Sequence, residues 1–221
     1  MKELPLFPLN TVLFPGMVLP LHIFEPRYRL MINRCIRYNQ PFGVVLIHHG
    51  VEVGGEAVPH PIGTSAYVTH VERLPDGRMD IHAVGYQRFK IHELRRDRPY
   101  LVGLVEDIPI ESGETLETAR LAKEIGAALR RYLETFTGAV GASFPLDNLP
   151  SESVGLAYLT AIALPLPLEE KQHLLTIDDL VTLLRTEQVI LRRERLLLDL
   201  MIRRKEAHPE DDDPLNLTSP N

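Results

Sequence analysis

The apolar opening of the chain, ELPLFPLNTVLFPGMVLPLHIFEPRY at residues 3–28, is interrupted by proline at positions 5, 8, 15 and 20. Each proline removes an amide donor and breaks a helix. A membrane-spanning helix of ~20 apolar residues with every backbone group satisfied is therefore excluded here. A secretory signal fits no better, because Glu3 follows Lys2 at once and no small-residue cleavage site follows. What remains is a set of short extended pieces with breaks at Asn10-Thr11 and Pro15-Gly16. Pro15-Gly16 is a turn dipeptide, since proline presets one torsion and glycine accepts positive φ. Pro26 suits the first position of a helix, where a missing N–H costs nothing. Tyr28, Met31, Ile32, Cys35 and Ile36 then recur at helical spacing. The start reads as strand, turn, strand, helix.

Further along, FGVVLIHHG (42–50) reads as a buried strand, VEVGGEAVPHP (51–61) as a loop and IGTSAYVTHVERL (62–74) as a strand. Asp76-Gly77 marks a hairpin. After it Met79, Ile81, Ala83, Phe89 and Ile91 alternate with Asp80, His82, Arg88, Lys90 and His92, so the second set is expected outward. Gly85 falls in the inward register and predicts a bulge or a close backbone approach. YLVGLVEDIPI (100–110) predicts a strand buried on both faces. Near Ser112 the period changes to about 3.6. Helices are expected over about 115–137, 151–164, from near Pro167 to about 175, and 178–205, with a linker over 137–150. Thr176 and Asp179 are the expected capping pair of the last helix. Its stripe is Leu180, Leu183, Leu184, Ile190, Leu191, Leu197, Leu198 and Met201.

The fold class is thus α+β. A β-rich, partly barrel-like subdomain (1–110) precedes a helical bundle (111–205) that ends in a long helix, and an acidic tail (206–221) is expected to be disordered. That tail holds five acids and no Lys or Arg. Without it the chain has 24 basic and 25 acidic residues, which does not suit a general nucleic-acid binder. The single cysteine, Cys35, excludes an internal disulfide and a multi-cysteine zinc site. Its place on an apolar stripe reads as an inert buried thiol, and the expected compartment is the cytoplasm.

The chain has no G-x-x-x-x-G-K-[ST], G-x-S-x-G or H-E-x-x-H motif. His48, His49, His60, His70, His82 and His92 form no ligand pair at helical spacing, so they read as surface or satisfied histidines. No catalytic residue, cofactor or metal is expected. Arg185 to Lys205 holds seven basic residues and three acids. This reads as a solvated face, with Asp199 and Arg203 an i, i+4 pair, in preference to a nucleic-acid stripe.

The ordered set LPLFPLNTVLFPGMVLPLHIFEPRY, FGVVL, IGTSAYV, LPDGRMDIHAVGYQRFKI and YLVGLVE resembles the N-terminal substrate-binding domain of Lon proteases. LAYLTAIALPLPLEEKQHLL and the following helix extend the resemblance to about residues 3–200. Where the family often has Arg-Leu early in that helix, Thr182-Leu183 stands here. The resemblance implies a β-rich subdomain followed by a helical bundle, and recognition of unfolded or tagged polypeptide. It implies no ATP or peptide hydrolysis, because Lon carries those activities in later modules. The expected function is a non-catalytic polypeptide-binding module in protein quality control. The alternatives are an adaptor docking on one folded partner, such as a protease, and a nucleic-acid binder acting through the last helix. Candidate peptide contacts are Phe14 and Met17, expected exposed near the Pro15-Gly16 turn, with outward Tyr86 and Arg88 as a rim. The plainer reading of all four is a turn anchor and a strand face.

Overall fold

The proline-punctuated start folds as its punctuation dictates. In the computed structural model, which describes residues 1–52, 57–111, 115–140 and 149–207, strand β1 (Lys2–Leu9) is followed by β2 (Val18–Ile23) and helix α1 (Pro26–Tyr38). Between the strands, the amide of Met17 donates to the carbonyl of Phe14 at 3.1 Å, with Gly16 at φ +82°. Pro26 opens α1, and Asn39 closes it in the left-handed conformation. Tyr28, Met31, Ile32 and Cys35 are the buried face of α1. Burial pushes the Cys35 thiol up to about 11, so it is protonated and inert at neutral pH.

Strands β3 (Phe42–Gly50), β4 (Ala57–Pro59), β5 (Ile62–Arg73), β6 (Met79–Arg95) and β7 (Val102–Asp107) complete a mostly antiparallel seven-stranded sheet. β4 lies in the stretch expected as loop. It is three residues long, too short to leave a periodic signal among glycines and prolines, and it pairs with β3. β1 pairs antiparallel with β7 through its first half and parallel with β3 through its second. The pairings β1–β7–β6–β5–β3–β1 therefore run in a closed circuit. The circuit encloses Leu4, Leu6, Val45, Phe89 and Val105.

β6 organises this half. β5 follows one edge of it, while β2 and β7 share the other. The β5–β6 hairpin turns at Gly77, at φ +80°. Met79, Ile81 and Ala83 face inward, as their alternation predicts. Gly85 is the expected close approach, because a Cβ there would overlap the backbone oxygen of Phe14. Its amide donates to Met17 O at 2.9 Å and its carbonyl accepts from Gly16 N at 2.8 Å, pinning the first turn to β6. Gly85→Ala should lower stability by roughly 1–2 kcal/mol through overpacking, read as a lower urea midpoint. An unchanged midpoint would mean that the turn is not fixed on β6.

Helices α2 (Leu116–Val140), α3 (Ser153–Ala163), α4 (Leu168–Thr176) and α5 (Leu180–Ala207) form the second half. The linker expected over 137–150 and the acidic tail fall largely outside the described residues. α3, which has few polar residues, buries Leu156, Ala157, Tyr158, Thr160 and Ala161 between its neighbours. Its core joins Ile125, Leu129, Leu180 and Leu184 to Val12, Phe14 and Leu46 of the β-rich half. Asp179 alone caps α5, accepting from Thr182 N at 2.7 Å. Thr176 belongs to the last turn of α4, where its hydroxyl donates to His173 O at 2.6 Å. The α5 stripe is buried at Leu180, Leu183, Leu184 and Leu191, but Leu197 and Met201 are exposed. No ion pair joins Asp199 and Arg203 among the described residues.

Candidate functional site

Arg88 is where alternation along β6 points wrongly. It does lie opposite Phe89, yet it is fully buried, because the α4–α5 connection covers that face. Its Nη1 donates to Leu175 O and Ile177 O, each at 2.7 Å, and its Nη2 to Pro109 O at 3.3 Å. Asp178 Oδ1 lies 3.5 Å from Nη2. The guanidinium thus meets the carbonyl end of α4, where a cation is favoured. Arg88 also accepts at its own carbonyl from Ile108 N at 3.0 Å, and Glu111 N donates to Asp178 O at 2.7 Å. Arg88 fastens the two halves together from within, and its buried Nε has no hydrogen-bond partner.

Beside this joint runs a groove of about 450 Å³. Pro15, Gly16 and Tyr86 form one wall, Val154 and Tyr158 of α3 the other, and Ile110 lies between, with Gln87 and Glu152 adding polar groups. Phe14, expected exposed, is 1% exposed. It lies among the buried side chains, its ring centroid 6.2 Å from that of Tyr158. Burial raises the Tyr158 hydroxyl above its ordinary value, an effect that nearby Arg88 opposes. Met17 is half-buried and packs against the cores of both halves.

Tyr86 is the candidate that reaches solvent, at 66% exposed. Its ring meets Tyr67 edge-on, with centroids 5.5 Å apart. Tyr67 pairs across the sheet with Val84, and Val84 with exposed Val18. An apolar row thus leads from the groove wall over the outer face of β5, β6 and β2. Four residues along β2 from Val18, His22 Nδ1 lies 2.6 Å from Asp80 Oδ1. Individual residues gave no signal for this row, because Val18, Tyr67 and Val84 become neighbours only through strand pairing.

The fold also brings together histidines that are separate in sequence. The His48 ring lies 3.9 Å from that of His49 and 4.7 Å from that of His60, centroid to centroid. Burial lowers the His60 pKa, although Glu169, 3.8 Å away, opposes this. Among the described residues no three His, Cys, Asp or Glu are placed to hold a metal, and no helix is long and apolar enough to cross a membrane.

The family model of the ATP-dependent protease La (LON) substrate-binding domain matches residues 3–193. Lon protease 2 of Myxococcus xanthus is 30% identical over 202 residues, which are 90% of this chain and 24% of that protein. A Lon protease of Flavobacterium johnsoniae is also 30% identical, over 80% of this chain and 22% of that protein. The chain therefore spans about a quarter of the length of these relatives. Among solved structures, a Lon N-terminal domain protein from Xanthomonas campestris is 28% identical with a TM-score of 0.64, covering 86% of this chain and 98% of that one. The N-terminal domain of a Mycobacterium avium complex Lon protease has the same fold, with a TM-score of 0.66 at 21% identity, over 88% of this chain and 98% of that one. By the match along its length and the agreement in fold, this chain belongs to the Lon substrate-binding domain family.

Proposed function

We propose that the chain is a non-catalytic module that captures extended, apolar segments of unfolded or tagged polypeptides, serving protein quality control in the cytoplasm. The observation that carries this reading is the exposed Tyr86 at the junction of the groove and the apolar row Val18–Val84–Tyr67. Aromatic side chains on a firm strand give contact area at low entropic cost. An extended segment seated in the groove would place alternate side chains against Tyr86 and Val154, with Gln87 and Glu152 within reach of its backbone. Met17 supports this surface from beneath, and no cofactor takes part.

Anisotropy titration of a labelled, permanently unfolded polypeptide, with its folded counterpart as control, tests the reading. Saturable binding of the unfolded form alone, little changed by salt, is expected. Tyr86→Ala should weaken it about tenfold and leave the thermal midpoint in place, since the ring is largely in solvent. Equal binding of both forms, or none, would overturn the reading in favour of an adaptor for one folded partner.

A further inference from the structure

The last turns of α5 present a second apolar face. Val189, Leu196, Leu197, Leu200 and Met201 are between 47% and 69% exposed. Val189, Leu196 and Leu200 recur at i, i+7 and i+11, one line along a helix, which Arg193 interrupts at i+4 with its guanidinium held by Glu170 and Glu194. At 3.6 residues per turn this line lies opposite Leu184, Leu191 and Leu198, which face the core. A row of large side chains that a helix leaves in water marks an interaction surface.

The charges beside the line identify what fits it. Arg192 and Arg204 flank the line, Arg203 closes it at i+14 from Val189, and Arg195 lies nearer the buried stripe; all four are exposed and make no ion pair among the described residues. Of the three acids on this part of α5, Glu187 is buried and Glu194 is paired with Arg193 at 2.9 Å. Among the described side chains between Arg185 and Arg204, Asp199 is the acid of α5 left to offset the arginines, with Glu124 of α2 acting on Arg192. A second copy of α5 would set arginines against arginines. A nucleic acid would leave Val189, Leu196 and Leu200 in water. An anionic lipid surface would meet a chain whose formal net charge is −6. We propose that this face of α5 docks an amphipathic helix of a partner protein, one whose own apolar line is flanked by Asp and Glu. The apolar lines interlock as knobs into holes, and the flanking charges set the partner and its register. This surface is distinct from the groove at Tyr86 and does not depend on it.

The test uses the full chain and two labelled synthetic four-heptad peptides, with Leu at a and d and either Glu or Lys at e and g. The Glu peptide should bind saturably, more weakly at high salt, and the Lys peptide should not. Leu196→Glu/Leu200→Glu, at positions already in water, should weaken binding about tenfold or more. Arg192→Glu/Arg203→Glu should transfer binding to the Lys peptide. The Tyr86→Ala variant should bind the Glu peptide normally. Equal binding of both peptides, or none, would overturn the proposal. So would capture of phosphatidylserine vesicles or a single-stranded oligonucleotide in place of the Glu peptide, or a dimer in sedimentation that Leu196→Glu/Leu200→Glu dissolves.

Discussion

Replacing Arg88 by alanine should cost about 3–5 kcal/mol of stability, since hydrogen bonds to a charged group contribute ~1.5–3 kcal/mol each. The guanidinium meets the carbonyls of Leu175, Ile177 and Pro109. Without it those carbonyls stay buried and lose a charged donor, and each unmet group adds its own desolvation penalty. The cavity left by the side chain adds to the loss. Arg88→Lys should recover part of the loss, because one ammonium cannot span the acceptors that a planar fork reaches. The measurement is urea unfolding followed by circular dichroism and by tyrosine fluorescence. The two probes should coincide in the wild type and separate in Arg88→Ala, as the helical half loosens from the sheet. A loss below about 0.5 kcal/mol, typical of an ordinary surface site, would mean that Arg88 does not carry the joint.

The opposite sign is expected at Glu187. This α5 side chain is fully buried, and neither carboxylate oxygen has a hydrogen-bond partner. Burial raises its pKa well above the usual carboxylate range. The folded protein therefore binds this proton more tightly than the unfolded chain does. The stability that the neutral carboxyl contributes is fully present below the unfolded value near ~4.3. It is lost as pH rises from there through the raised folded value. Glu187→Leu should stabilise the protein by about 1–4 kcal/mol at neutral pH, as when buried ions give way to apolar groups. Glu187→Gln keeps the shape and removes only the titration, so it should flatten the pH profile with a smaller gain. Thermal midpoints of the three proteins between pH 4 and 8 would check this. A lower midpoint for Glu187→Leu at every pH would show that the carboxyl has a compensating partner.

These two residues also mark where sequence ceases to be informative. Features set by neighbours in the chain were legible: Pro26 opening α1, the Asp76-Gly77 hairpin and the order of strands before helices. Gly85 was legible as well, because an inward glycine between inward apolar residues has few uses. Alternation gives the side of a strand on which Arg88 lies. It does not say that a helix connection arriving almost ninety residues later covers that side. Periodicity follows the buried line of α5 to Leu191, but beyond it two apolar lines compete and only the packing decides between them. The turn signal beside Phe14 is local and predicts exposure, whereas its burial depends on Tyr158. The groove was least legible, since its lining comes from four separated segments.

The closed circuit of strands bears on the capture of unfolded chains proposed above. Strand edges recruit extended peptide without regard to sequence, and a receptor surrounded by such peptide risks being extended into an aggregate. Among the described residues β2 and β4 are each paired on one side only. β2 carries Pro20 at its centre, and β4 is three residues long and ends at Pro59. Proline has no amide hydrogen to donate to an added strand. Pro20, one of the residues that exclude a membrane helix at the start of the sequence, thus limits templating by the finished sheet, and the proposed capture falls to side chains that can release what they hold.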